Sequence, residues 1–128
     1  MNATTTSLDE ANAIVTTVLD RWKDRVDAHD PEGVAAVFTT DALFQGLRPS
    51  HTIGRAGVAE YYAAQPLGMT ASFRVLHTRT PGPGTILAYA QLAFAFPDRP
   101  TINVHLTTLL EHHEQDWQIA HYHVSRIE

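Results

Sequence analysis

The stretch "WQIAHYHVS", residues 117–125, alternates at the two-residue period of a β-strand. Trp117, Ile119, His121, His123 and Ser125 then share one face, and Gln118, Ala120, Tyr122 and Val124 the other. The first face begins with two large apolar residues and ends in stacked imidazoles. A face that runs from a core into a polar-lined cavity has this composition.

The preceding strand sharpens the expectation. A tight turn near Glu114 sets Leu109 opposite Ile119, Thr107 opposite His121, His105 opposite His123 and Asn103 opposite Ser125. His105, His121, His123 and Thr107 then line one polar patch. Three chemistries remain open for it: a metal site with nitrogen ligands, an acid–base or ligand-orienting pocket, and structural histidines bonded to backbone or water. No carboxylate is placed by spacing to orient the rings, so no metal ligand is assigned. Leu106, Thr108, Leu110, Ala120, Tyr122 and Val124 would form an apolar convex face, and a homodimer through that face is expected.

Upstream, the period changes. Leu8, Ala11, Ile14, Val15, Val18, Leu19, Trp22 and Val26 follow helical spacing, with Ser7 and Glu10 as a capping box. Asp30 and Pro31 open a second, short helix. "ALFQG" (42–46) and "SHTIG" (50–54) read as short strands, and "RAGVAEYYAAQ" (55–65) as a third helix ended by Pro66. Strands follow near 70–79, 85–96, 101–112 and 116–127, separated by "PGPG", "PDRP" and a polar turn. The order implies α+β: a curved, cone-shaped antiparallel sheet packed on three N-terminal helices, in one domain over 1–128, with 1–6 disordered. The mouth of such a cone is a natural small-molecule pocket.

Composition narrows the function classes. The 128 residues are 44% hydrophobic with a formal net charge of -5. One lysine, Lys23, stands against eight arginines, which gives no basic footprint for nucleic acid. Without cysteine there is no thiolate nucleophile or cysteine-ligated zinc. No apolar run approaches the ~20 residues of a membrane span, and "MNATTTSLDE" has no signal-peptide pattern, so a cytoplasmic location is expected.

"WKDRVDAHDPEGVAAVFTTDALF" (22–44), "IGRAGVAEYY" (53–62) and the terminal strand together resemble the nuclear-transport-factor-2-like superfamily, whose fold is a cystatin-like α+β barrel. Within it the chain is similar to the SnoaL-like and SgcJ/EcaC-type groups. The resemblance implies a pocket for a hydrophobic cyclic small molecule, in bacterial secondary metabolism of polyketide or enediyne type. It also implies cofactor-free acid–base chemistry: cyclisation, dehydration or isomerisation. His123, His105 and Asp27 are the candidate catalytic residues, and Trp22, Tyr62, Phe44, Thr107, His121 and Tyr89 the candidate substrate contacts. A non-catalytic binding protein of the same fold is the alternative. In the ketosteroid isomerases of this superfamily, the oxyanion tyrosine and the general base align with Trp22 and Gly46, which cannot serve those roles. Tyr62 matches a pocket tyrosine there. Trp22 and Asp27 match a tryptophan and an aspartate of scytalone-type dehydratases, whereas Phe96 stands where one of their histidines is expected. An enzyme of this type would put a histidine within hydrogen-bonding reach of Asp27 or Tyr62.

Overall fold

The structure, a computed structural model, describes residues 7–127. The expectation for 1–6 lies outside them. Helix α1 (Leu8–Asp27) starts where Ser7 Oγ accepts from the Glu10 amide at 3.1 Å and the Ser7 amide donates back to Glu10 Oε1 at 3.4 Å. Its buried stripe is Ala11, Val15, Val18, Leu19, Trp22 and Val26. His29, in the left-handed region at φ 51°, turns the chain into α2 (Pro31–Ala35). Asp30 caps that helix by accepting from the Gly33 amide at 3.0 Å. Strand β1 (Phe38–Gln45), the two-residue β2 (Thr52–Ile53) and α3 (Arg55–Ala63) follow. Four long strands complete the chain: β3 (Thr70–Gly82), β4 (Thr85–Ala95), β5 (Ile102–His113) and β6 (Asp116–Arg126).

All six strands form one curved, unclosed sheet in the order β2-β1-β6-β5-β4-β3. Every pair is antiparallel except β1 with β6, which is parallel. The long connection between these two strands in sequence permits that pairing. The helices cover one face, and the core lies between them and the sheet. Among the described residues no helix is long and apolar enough to cross a membrane.

The register of β5 on β6 corrects the expected faces. Thr107 pairs with His123, Leu109 with His121, and His105 with Ser125. Leu110 then pairs with Ile119, so one step on β5 spans two on β6, with Ala120 the extra residue. This bulge reverses the side on which the strand's residues project. Ile119 faces the helices, but two residues later His121 does not; Tyr122 and Val124 do. Leu106, Thr108, Leu110, Tyr122 and Val124, expected on an uncovered convex face, are therefore core. His105, Thr107, His121 and His123 lie on the outer face, away from the helices. Tyr89, which pairs with Thr107, lies there too, 41% exposed.

Candidate functional site

The helix-facing side of the cone is built from aromatic rings. Trp22 comes from α1, Tyr62 from α3, Phe38 and Phe44 from β1, Phe94 from β4 and Tyr122 from β6, all buried. Phe44 stacks on Tyr122 with centroids 4.8 Å apart and planes 17° apart. Trp22 meets Phe94 edge-on at 6.0 Å and Tyr122 at 6.1 Å. Helices α1 and α3 thus each deliver a large inward side chain to the same place.

Three polar groups sit inside this apolar shell. Trp22 Nε1 donates to Tyr62 Oη at 3.2 Å, and Tyr62 Oη lies 3.3 Å from Tyr122 Oη. Burial raises the pKa of both phenols well above the ordinary value. Both hydroxyls therefore stay protonated at neutral pH. The set holds three donor hydrogens and makes two bonds. Whichever way the two hydroxyls point, one O–H is left without an acceptor among the described residues. A buried donor in that position costs about 1–3 kcal/mol if nothing accepts from it.

Tyr62 also borders a small cavity, with Leu47, Tyr61, Gln65, Met69, Phe94 and Phe96. Its volume is about 10 Å³, near the ~10–15 Å³ that one water needs. Tyr61 packs on Phe44 at 5.0 Å, and its Oη accepts from the Leu47 amide at 3.1 Å. Two guanidiniums frame this rim: Arg48 over the Tyr61 ring and Arg99 over Phe96, each 5.3 Å from the centroid.

Of the expected site residues, Trp22, Tyr62 and Phe44 come together here. His105, His121, His123, Thr107 and Tyr89 do not; they form a separate group across the sheet. Tyr122, which hydrogen-bonds Tyr62 and stacks on Phe44, was not among the expected contacts. Asp27 has a different occupation. Its Oδ1 accepts from the Ala71 amide at 2.8 Å, its Oδ2 pairs with Lys23, and so it ties the end of α1 to edge strand β3. That partner explains a carboxylate at a helix C-terminus, where the dipole disfavours it. Asp27→Ala is expected to lower unfolding free energy by about 1–3 kcal/mol, because the Ala71 amide loses a charged acceptor. Urea denaturation followed by circular dichroism measures it, and an unchanged midpoint would refute the anchoring role.

The hydrogen bonds of Tyr62 and Asp27 involve no histidine. Among the described residues, no group of three or more His, Cys, Asp or Glu is placed to hold a metal ion.

A SnoaL-like domain profile matches residues 15–127. No curated protein matches the chain in sequence. Several solved structures match in shape. A cystatin-like domain of unknown function from Nostoc punctiforme has a TM-score of 0.81 at 18% identity, covering 96% of this chain and 80% of that one. A ketosteroid isomerase-like protein from Erwinia carotovora atroseptica gives 0.79 at 16%, covering 94% and 99%. ActVI-ORFA from Streptomyces coelicolor gives 0.72 at 18%, covering 90% and 96%. At these identities the likeness establishes the fold.

Proposed function

We propose that this chain, which belongs to the SnoaL-like family, binds a planar, cyclic small molecule in its aromatic cone and holds it without turnover. The observation that carries this is the unplaced hydroxyl hydrogen of the Trp22–Tyr62–Tyr122 set. A ligand carbonyl or ring oxygen entering past Tyr61 would accept it, and the surrounding rings would cover the ligand's faces. Entry requires the rim to give way. Leu47, 40% exposed, and the half-buried Phe96 and Tyr61 are the least buried apolar side chains lining the small cavity. Arg48 and Arg99 favour a ligand whose outer end is anionic.

Binding is favoured over the acid–base enzyme reading for a geometric reason. Tyr62 and Tyr122 can donate hydrogen bonds but, held protonated, cannot act as bases near neutrality. The imidazoles project from the other side of the sheet. Both oxygens of Asp27 are engaged. For the ligand's class we propose a polyketide-type polycycle of secondary metabolism, following the resemblance to such proteins.

The test is titration with a hydroxyanthraquinone, followed by tryptophan quenching, with mass spectrometry of the recovered compound. Quenching with an unaltered compound is expected. Tyr62→Phe should weaken binding about 3–10-fold, the value of one hydrogen bond. Absence of quenching, or equal affinity for anthracene, which has no acceptor, would refute the reading. A changed mass would restore the enzyme.

A further inference from the structure

We infer that Gln65 selects the ligand of the cone: its free side-chain carbonyl oxygen accepts a hydrogen bond from the ligand, so the preferred molecule carries a hydroxyl or N–H as well as a carbonyl. The inference rests on the binding reading above and narrows the class of ligand that reading admits.

The placement of Gln65 begins with the sequence at the end of α3. Residues 62–66 read "YAAQP". The last carbonyls of a helix need donors from outside its ladder. Pro66 has no amide hydrogen, so it cannot serve Tyr62 O as the next helical residue would. The Gln65 amide takes that carbonyl instead, at 3.2 Å, and the last turn tightens. Tyr61 O is thereby left without its helical donor. The Gln65 side chain supplies one, with Nε2 donating to Tyr61 O at 3.2 Å.

That bond also fixes which way the amide points. A backbone carbonyl can only accept, so the nitrogen of the side chain faces Tyr61 O and Oε1 is turned away from it. Oε1 has no hydrogen-bond partner among the described residues. Gln65 is half-buried, and its oxygen is not one of the sealed, unpartnered polar atoms of the chain, so a ligand can reach it.

The surroundings lack such an acceptor. Gln65 borders the same small cavity as Tyr61 and Tyr62. The other side chains there, Leu47, Met69, Phe94 and Phe96, offer no strong hydrogen-bonding atom. Burial raises the pKa of both tyrosines, so both keep their protons. Tyr62 belongs to the set with a hydrogen to spare. Tyr61 Oη accepts from the Leu47 amide, and its own hydrogen has no acceptor among the described residues. The phenols have hydrogens to give, and Gln65 brings the one side-chain carbonyl oxygen of this lining.

A ligand that satisfies the lining needs an acceptor for the phenols and a donor for Gln65. Tyr62 and Gln65 stand three residues apart, which at helical spacing separates their Cβ atoms by about 5–6 Å. Both ligand groups therefore fit on one fused ring system. A polycycle without the donor would cover Oε1 and leave it unpaired, which costs affinity.

Tryptophan-quenching titrations with two compounds test this. One is an anthraquinone with a single hydroxyl remote from its carbonyls; the other carries a methyl at that position. The buffer is acidic enough to keep the hydroxyl protonated. The two have similar shapes and the same carbonyls, and only the first has a donor hydrogen. Wild type is expected to favour the hydroxyl compound. Gln65→Met nearly keeps the volume but removes the acceptor, and should lower that preference about 3–10-fold. Gln65→Glu keeps an acceptor but cannot donate to Tyr61 O, and should retain the preference. Circular dichroism checks that each variant is folded, and the wild-type comparison needs neither. Equal binding of both compounds by wild type overturns the role of Gln65 and leaves the binding reading intact. So does a folded Gln65→Met that weakens both compounds alike, or a folded Gln65→Glu that loses the preference; either would mean that the amide only holds the end of α3. Quenching by neither compound overturns the binding reading and this inference with it.

Discussion

Trp22→Ala is expected to lower unfolding free energy by about 3–5 kcal/mol, enough to unfold a marginal domain. Trp22 is fully buried and touches Phe94 and Tyr122, so truncation opens a large cavity at the meeting point of α1, α3 and the sheet. It also removes the indole hydrogen from Tyr62. Trp22→Phe separates the two contributions: it keeps a ring but no donor, and should cost about 1–2 kcal/mol. Urea denaturation followed by far-ultraviolet circular dichroism measures both, since indole fluorescence is altered by the substitution itself. Equal costs for Phe and Ala would mean that Trp22 acts through its hydrogen bond. A cost below about 1 kcal/mol for Ala would mean that the cone tolerates a void, as a roomy pocket would.

That the indole anchors the core was legible from its place in the helical stripe of α1. The caps at Ser7 and Asp30 were legible for a similar reason: each is a local pattern whose energy is also local. The face carrying the histidines was not. Alternation from Trp117 to Ser125 is unbroken on paper, and a bulge adds one residue without leaving any special residue type behind; Ala120 has no left-handed φ. The signal lay in parity. Large inward residues occupy odd positions at Trp117 and Ile119 and even ones at Tyr122 and Val124. An apolar set that changes parity within one strand has a bulge between its halves. Strand β3 repeats the lesson: Ala71, Phe73 and Val75 face inward, then Thr78, with the register shift between Val75 and His77. Thr78 Oγ1 there donates to Asn12 Oδ1 at 2.6 Å and secures α1.

The polar set inside the cone was half legible. Trp22 and Tyr62 stood out through the family resemblance, but Tyr122 depends on the bulge for its direction. Without Tyr122 the hydrogen count of the set has no meaning. One inserted residue thus turns the imidazoles to the outer face and the Tyr122 phenol into the core. The chain's element order, in contrast, follows from many independent local signals, and no single residue could have overturned it.

Gly46→Ala is expected to lower unfolding free energy by about 1–3 kcal/mol, the usual range for overpacking. A Cβ on this buried glycine would lie 2.4 Å from Tyr61 Cζ and 2.6 Å from its Oη. The ring would have to swing outward. It would then lose the Leu47 amide, its edge contact with Phe44, and Arg48 over its face. The same collision explains why the position that the ketosteroid isomerase resemblance assigns to a general base holds no side chain here. Aspartate would need the same displacement and would also desolvate a carboxylate, so Gly46→Asp should be the more destabilising. A double-mutant cycle isolates the cause. In a Tyr61→Ala background the space is vacated, and Gly46→Ala should become nearly neutral, giving a coupling of about 1–2 kcal/mol. Additive costs would show that Gly46 is required by its backbone and not by Tyr61. In that case Tyr61 would be free to swing away from the rim without hindrance from β1, and the opening that ligand entry needs would be cheaper than the packing implies.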